Sequence, residues 1–355
     1  MVLSTFPLIQ KLFQPFSAIS PDQKIFTACI SRDRIATQRN SEVTMNIFWY
    51  EVNEAWSEAS LVWLWSFIKA CKRSDSRIDV GLEIWCEEGE WVNGYRRKVA
   101  EIIDGWIEYN VREFNFDDVP DIELEGRCID SRSVKIAVSR IWHYNEMVRE
   151  NSISVVGVNE INYSYNERVR LIHCDIDGVF TERFDLGRFL GEVQEVPRGC
   201  IGGCNEYDDI AEGLSETHTS DFMEKLDHTY LNCGMMVFNV GVINVSELIE
   251  YISNAFCLEQ DYVNERYTKY CIDERYNYTF RKKKRLDTIH EFMLPYFVHF
   301  YGDAKPFKRN EVLPLDREIY EYWGEYFRNV VEIQGVLTDE FYSLCRENYV
   351  VSCRY

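Results

Sequence analysis

Asp175 and Asp177 stand one residue apart at the end of an apolar run, residues 169–174, and Gly178 follows them. Such a run reads as a buried strand of a parallel sheet. In open α/β sheets the ligand crevice lies outside the carboxyl ends of the strands, where this strand would put the pair. Two hard oxygen ligands there suit Mg²⁺ or Mn²⁺, and such an ion suits a diphosphate. A solvated acidic turn explains the triplet as well, so the rest of the chain must decide. Four further stretches fall in an order that suits one site. They are Val52-Asn53-Glu54-Ala55-Trp56, Leu231-Asn232-Cys233-Gly234-Met235, Glu259-Gln260-Asp261-Tyr262-Val263-Asn264, and the run from Val298-His299-Phe300 through Lys305-Pro306-Phe307.

The elements that must position these residues show in the spacing. Residues 46–52 read as a strand, and Asn53 and Glu54 offer caps for a helix over 57–72. That helix is apolar nearly all round (Leu61, Val62, Leu64, Trp65, Phe67, Ile68) and should be well buried. A strand over 78–86, a helix over 92–106 and a strand over 107–116 follow. The alternation predicts a parallel sheet covered on both faces. An acidic loop over 117–128 leads to a helix over 133–149, which carries Arg140. Residues 150–167 are a polar excursion before the Asp-x-Asp strand. Residues 199–213, rich in Gly and Asp, read as a loop, residues 231–245 as a strand and 246–256 as a short helix. Residues 294–300 form a last strand that ends at His299, and the tail from Asp316 reads as two helical pieces. No linker is evident. The expected organisation is an N-terminal extension (1–44), one main domain (45–310) and a helical C-terminal addition (311–355).

Composition narrows the partners. At 355 residues and 46% hydrophobic, the chain supports a packed α/β domain and not disorder. A formal charge of −20 repels polyanions, so neither nucleic acid nor an acidic membrane is an expected partner. Aromatic residues, at 15%, are plentiful enough to stack on a base or a sugar. The twelve cysteines include no Cys-x-x-Cys, and Cys200 and Cys204 have no matching second pair, which disfavours zinc. Residues 1–19 are interrupted by Gln10, Lys11 and Gln14 without a basic n-region, so no signal peptide is read, and no apolar run approaches 18 residues. The expectation is a soluble cytoplasmic protein with reduced thiols. The basic cluster Arg281-Lys282-Lys283-Lys284-Arg285 reads as a solvated loop; a nucleic-acid patch or a contact for an anionic acceptor are the alternatives.

Together these stretches resemble glycosyltransferase family 8. That family typically shows Asn-Asp-x-Tyr, Asp-x-Asp, Asn-Ala-Gly, Asp-Gln-Asp and His-x-x-Gly-x-x-Lys-Pro-Trp. Here the counterparts are Asn53-Glu54-Ala55-Trp56, Asp175-Ile176-Asp177, Asn232-Cys233-Gly234, Glu259-Gln260-Asp261 and the nine residues from His299 to Phe307. The resemblance spans residues 45–307. It implies an α/β GT-A nucleotide-sugar-binding fold, a mainly parallel mixed sheet flanked by helices. It also implies a retaining hexosyltransferase that uses a UDP-sugar, UDP-glucose or UDP-galactose, and an acceptor the sequence does not identify. A catalytically silent nucleotide-sugar-binding protein of the same fold is the alternative.

The resemblance also assigns roles. Asp175, Asp177 and His299 would hold Mn²⁺ or Mg²⁺, a mixed oxygen and nitrogen set that suits octahedral coordination better than tetrahedral zinc. Gly302 would admit a phosphate close to the backbone, and Lys305 would supply a point charge to it. Trp56 would stack on the uracil with Asn53 nearby, a core tryptophan being the other reading. Arg140 would contact donor sugar and diphosphate, unless it lies on a solvated helix face. Asn232, Gln260 and Asp261 would meet the donor hydroxyls and the reacting carbon, and Glu195 would stand for the family's donor-sugar Asp. The departures, Glu54, Trp56, Glu259 and Phe307, preserve chemical type. Residues 150–167 and those after 307 have no counterpart and are expected to build the acceptor side.

Overall fold

The computed structural model describes residues 45–74, 80–119, 131–151, 153–156, 161–164, 169–252, 258–279, 295–300, 305–309 and 317–353. The expected N-terminal extension, Gly302 and the 281–285 cluster lie outside the described residues. The first elements in chain order are β1 (Met45–Val52), α1 (Ser57–Arg73), β2 (Val80–Glu87), α2 (Val92–Ile103), β3 (Glu108–Phe114) and α3 (Ser131–Asn151). Next come β4 (Ile153–Val156), β5 (Ile161–Ser164), β6 (Val169–Cys174), β7 (Gly178–Phe180), α4 (Leu186–Glu195) and β8 (Cys200–Asn205). Then follow α5 (Tyr207–Thr217), α6 (Ser220–Leu226), β9 (Leu231–Asn239), α7 (Val245–Ile252), α8 (Leu258–Arg266) and β10 (Thr268–Cys271). The last are β11 (Phe297–His299), α9 (Arg317–Glu332) and α10 (Asp339–Ser352).

A seven-stranded mixed sheet runs in the order β10-β8-β9-β6-β1-β2-β3. Strands β6, β1, β2 and β3 are mutually parallel, and β9 runs antiparallel to both β6 and β8. Period-two alternation along β1 divides the core between the two faces. Phe48, Tyr50 and Val52 point into a layer with α1, α2 and α4, whereas Ile47 and Trp49 point into a layer with α3, α7 and α8. A strand buried on both faces needs a nearly continuous apolar run, which is why β1 and β6 stand out in the sequence.

Helix α1 is buried all round, as its composition predicts: Leu61, Val62, Trp63, Leu64, Phe67 and Ile68 have no exposed surface. Burial of each such side chain stabilises the fold by about 1.5–3 kcal/mol. Its outer side is covered from far along the chain, since Trp323, Tyr326 and Val330 of α9 belong to the same core layer. The C-terminal helices thus share a core with the main sheet.

Two expectations need correction. Residues 199–213 are not a loop but strand β8 followed by helix α5. Gly202 marks a packing point there: a Cβ at this position would come within 2.8 Å of Val196 Cγ2 and 3.3 Å of Val237 Cβ. The strand expected to continue to 245 ends at Asn239, and Val245 already begins α7. Glu259-Gln260-Asp261 lies inside α8, near its start. Among the described residues no helix is long and apolar enough to cross a membrane.

Candidate active site

Asp175 and Asp177 sit in the bend between β6 and β7 at the carboxyl edge of the sheet. Two backbone hydrogen bonds fix that bend. Asp175 N–H donates to the Gly234 carbonyl at 2.8 Å, and Phe300 N–H donates to the Asp177 carbonyl at 2.8 Å. Strand β11 pairs with β7 in a register that sets His299 opposite Gly178. His299 Nε2 consequently lies 3.0 Å from Asp177 Oδ1 and 3.7 Å from Asp175 Oδ2. Behind the ring, Gly234 leaves the space the imidazole fills: a Cβ there would come within 2.6 Å of His299 Cε1.

Two cations hold the carboxylates from outside the triad. Lys305 donates to Asp177 Oδ2 and to the Phe300 carbonyl, the latter at 2.8 Å. Arg140, projecting from α3, spans two acids, Asp175 Oδ1 at 2.9 Å and Glu259 Oε1 at 2.5 Å. Burial alone would raise the Asp177 carboxyl, but the adjacent His299 and Lys305 outweigh it and hold it well below the usual carboxylate range. Burial would lower the His299 imidazole, yet Asp177 and Asp175 together push it above its ordinary value. Glu259 shifts upward, because its burial outweighs the stabilising Arg140 charge.

The ligand atoms of Asp175, Asp177 and His299 all lie within 4.8 Å of one another. Asp177 Oδ1 is buried and receives no well-aligned hydrogen bond, although His299 Nε2 is close. Two carboxylates and an imidazole are packed around one buried point, and a cation between these atoms would offset the cost of desolvating them. Two carboxylates and one imidazole are a donor set that fits Mn²⁺ or Mg²⁺.

A second polar cluster adjoins the first through Asn232. Its side-chain oxygen accepts from Gly234 N–H (2.7 Å) and Asn277 Nδ2 (2.6 Å), and its Nδ2 donates to Glu206 Oε2 (2.7 Å). Thr279 Oγ1 donates to the other Glu206 oxygen at 2.8 Å. Gln260 accepts from the Cys233 N–H at 3.1 Å, which brings α8 to the start of β9. Asp261 is fully buried, with Tyr230 OH at 2.7 Å and His218 Nε2 at 2.9 Å.

Neither a protein-family model nor a curated protein sequence matches this chain. Solved structures do match. The galactosyltransferase LgtC, in complex with donor and acceptor sugar analogues, superposes with a TM-score of 0.55 at 14% identity, over 84% of this chain and 100% of that one. An apo structure of WbbM, a bifunctional glycosyltransferase, gives 0.57 at 11% identity, over 88% of this chain and 53% of that one. An active-site mutant of LgtC gives 0.50 at 15% identity, over 79% and 95%. This chain has the GT-A glycosyltransferase fold.

Within the GT-A fold, the structure sorts the residues singled out in the sequence. Asp175, Asp177, His299, Lys305 and Arg140 converge, and Asn232 adjoins them through Gly234, whose carbonyl holds Asp175 N–H. Trp56 is half-buried at the start of α1, with Lys305 Nζ 5.2 Å and Lys308 Nζ 5.0 Å from its ring centre and Phe307 edge-on at 5.4 Å. Asn53 accepts from Trp56 N–H at 3.2 Å and caps that turn. Glu195 is exposed at the C-terminal end of α4 and is not brought to the cluster by any contact among the described residues.

Sequence reasoning missed Glu206, which is 4% exposed and bonded to Asn232. It also missed Glu51, whose Oε2 lies 3.4 Å from His173 Nε2 and whose Oε1 lies 3.2 Å from His143 Nδ1. A signal existed for the latter. Glu51 and His173 are charged or titratable residues inside otherwise apolar strands, and such residues are buried only when partnered.

Proposed function

We propose that this chain is a retaining glycosyltransferase moving a hexose, glucose or galactose, from a UDP-sugar to a glycan, lipid-linked or protein acceptor. The observation that carries this reading is the convergence of Asp175, Asp177 and His299 at the carboxyl edge of a GT-A sheet, with the Asp177 oxygen left without a well-aligned hydrogen bond. Mn²⁺ or Mg²⁺ bound there would supply Lewis-acid neutralisation of the departing diphosphate.

The chain's own residues account for the remaining steps. Arg140 and Lys305, the cations already beside the acid pair, would add positive charge where the leaving group develops negative charge. Trp56 and Asn53 would receive the base. Glu206 and Asn232, locked to each other, would read donor hydroxyls; this gives Glu206 the role expected for Glu195. Gln260 carries a neutral amide, a poor nucleophile, which favours attack from the same face as the departing group. In that step the anomeric carbon–oxygen bond to phosphate breaks, and the acceptor oxygen bonds to the same face. Its proton passes to the released phosphate oxygen; Gln260 would orient the reacting groups, and Asp261, bonded to Tyr230 and His218, would hold α8 in place.

The test is UDP release from UDP-glucose and UDP-galactose with Mn²⁺ and a broad acceptor set. Turnover that Asp177→Ala abolishes is the expected result. Mn²⁺-dependent UDP binding by calorimetry without any turnover would replace this reading with a silent nucleotide-sugar-binding protein.

A further inference from the structure

The C-terminal helices touch the lysine turn. Asn348 of α10 is 9% exposed, and its Nδ2 donates to two backbone carbonyls, Pro306 at 2.8 Å and Lys308 at 2.9 Å. Those carbonyls belong to residues 305–309, which place Lys305 on Asp177 and both Lys305 and Lys308 over the Trp56 ring. From α9, the Tyr326 ring packs on Phe307 (5.5 Å between ring centres) and on Phe300 (5.6 Å). The turn is thus held on its backbone by α10 and on its aromatic side chain by α9.

We propose that Asn348 is a positioning residue for the nucleotide-sugar site, acting through the Pro306 and Lys308 carbonyls to set Lys305 and the Trp56 face. The chemistry suits an asparagine. A buried carbonyl needs a donor, and a side-chain amide supplies two N–H groups from one nitrogen with no charge to desolvate. An aspartate of the same shape would set oxygen against two carbonyl oxygens and push the turn away. This assignment rests on the donor reading above, and it makes the C-terminal addition part of the donor site.

Asn348→Asp separates the two ideas. Its expected effects are faster amide hydrogen exchange in a peptide covering 305–309 and a KM for the UDP-sugar raised about tenfold, as the loss of one charge-neutral contact allows. The kcat should fall as well, by up to about tenfold, because Lys305, displaced with the turn, is the charge offered to the leaving group. Asn348→Gln, which keeps the amide donors, should recover part of the KM. Should the aspartate variant fail to fold, Asn348→Ser, with a single donor and no charge, is read in the same way. Unchanged exchange in 305–309, or a wild-type KM alongside altered exchange, would overturn the proposal. If the wild-type protein binds no UDP with Mn²⁺, the donor reading fails, while hydrogen exchange still reports whether Asn348 holds the turn.

Discussion

His299 Nε2 stands 3.0 Å from Asp177 Oδ1, although the bend that carries Asp177 and the strand that carries His299 are far apart in the chain. The β7–β11 pairing makes this contact, and the Phe300 N–H bond to the Asp177 carbonyl locks it. The geometry gathers two carboxylates, an imidazole and a lysine at one buried point, which is why that point is the place to break the protein.

Adding Mn²⁺ should raise the unfolding midpoint of the wild-type chain, and chelation should reverse the rise. Cation in hundredfold excess over its dissociation constant stabilises by about 2.7 kcal/mol, a shift of several degrees by differential scanning fluorimetry. Asp177→Ala should lose that response altogether. It should also lower the baseline midpoint, since it leaves Lys305 and His299 buried without their carboxylate, at a cost of about 3 kcal/mol. A Mn²⁺ response that survives in Asp177→Ala would place the cation elsewhere.

Gly234→Ala tests the packing behind the histidine. The added methyl would meet the His299 ring and, at 2.9 Å, Asn232 Oδ1. The expected outcome is a folded protein destabilised by about 1–3 kcal/mol, with Mn²⁺ binding weakened more than the stability loss alone explains. Calorimetric titration of Mn²⁺ beside a thermal melt measures both quantities. Equal Mn²⁺ affinity in the two proteins would show that the ring tolerates displacement.

Acidification should destabilise the fold through Glu51. Burial would raise this carboxyl, but His143, His173 and Arg140 outweigh it and depress it far below its ordinary value near 4.5. A depressed carboxyl stabilises fully above that ordinary value and loses its contribution as pH falls below it, because the unfolded chain then binds the extra proton. His143 adds to the same trend. Burial, only partly opposed by Glu51, lowers its imidazole, so its contribution fades as pH drops through 6.5. Glu51→Gln should start about 2 kcal/mol less stable at pH 7 and decline less steeply toward pH 4. Parallel melting curves for both proteins across that range would remove Glu51 as the source.

Glu206 and Glu195 make a paired comparison. Glu206→Gln removes one acceptor from the pair used by Asn232 and Thr279 and should cost about tenfold or more in turnover with the preferred donor. Glu195→Gln alters an exposed helix end and should stay within about twofold. Steady-state UDP release by the two variants, side by side, decides between them. A large loss in Glu195→Gln would restore it to the site.

Local pattern carried much of the fold. Strand β1 and helix α1 were legible because both are buried on nearly all sides, and such burial demands apolar residues at most positions of a short stretch. The Asp-x-Asp bend was legible because an apolar run stops there at two carboxylates. Strand β8 was not, since its glycines look like loop residues until Val196 and Val237 are seen packed against Gly202 and Leu231 against Gly203.

By itself, then, the sequence determined the alternation of strand and helix from β1 to β3, the apolar run that ends at the Asp-x-Asp pair, and the types of residue available for a cation and a diphosphate. Tertiary structure alone decided which of them meet. Only the folded chain shows that Glu206 and not Glu195 bonds Asn232, that Glu51 lies behind the site with His143 and His173, and that Asn348 holds the lysine turn. Periodicity records which face of an element is buried; which side chains meet across the site is set by the packing of segments distant in sequence, and the pattern of one segment does not name its partner.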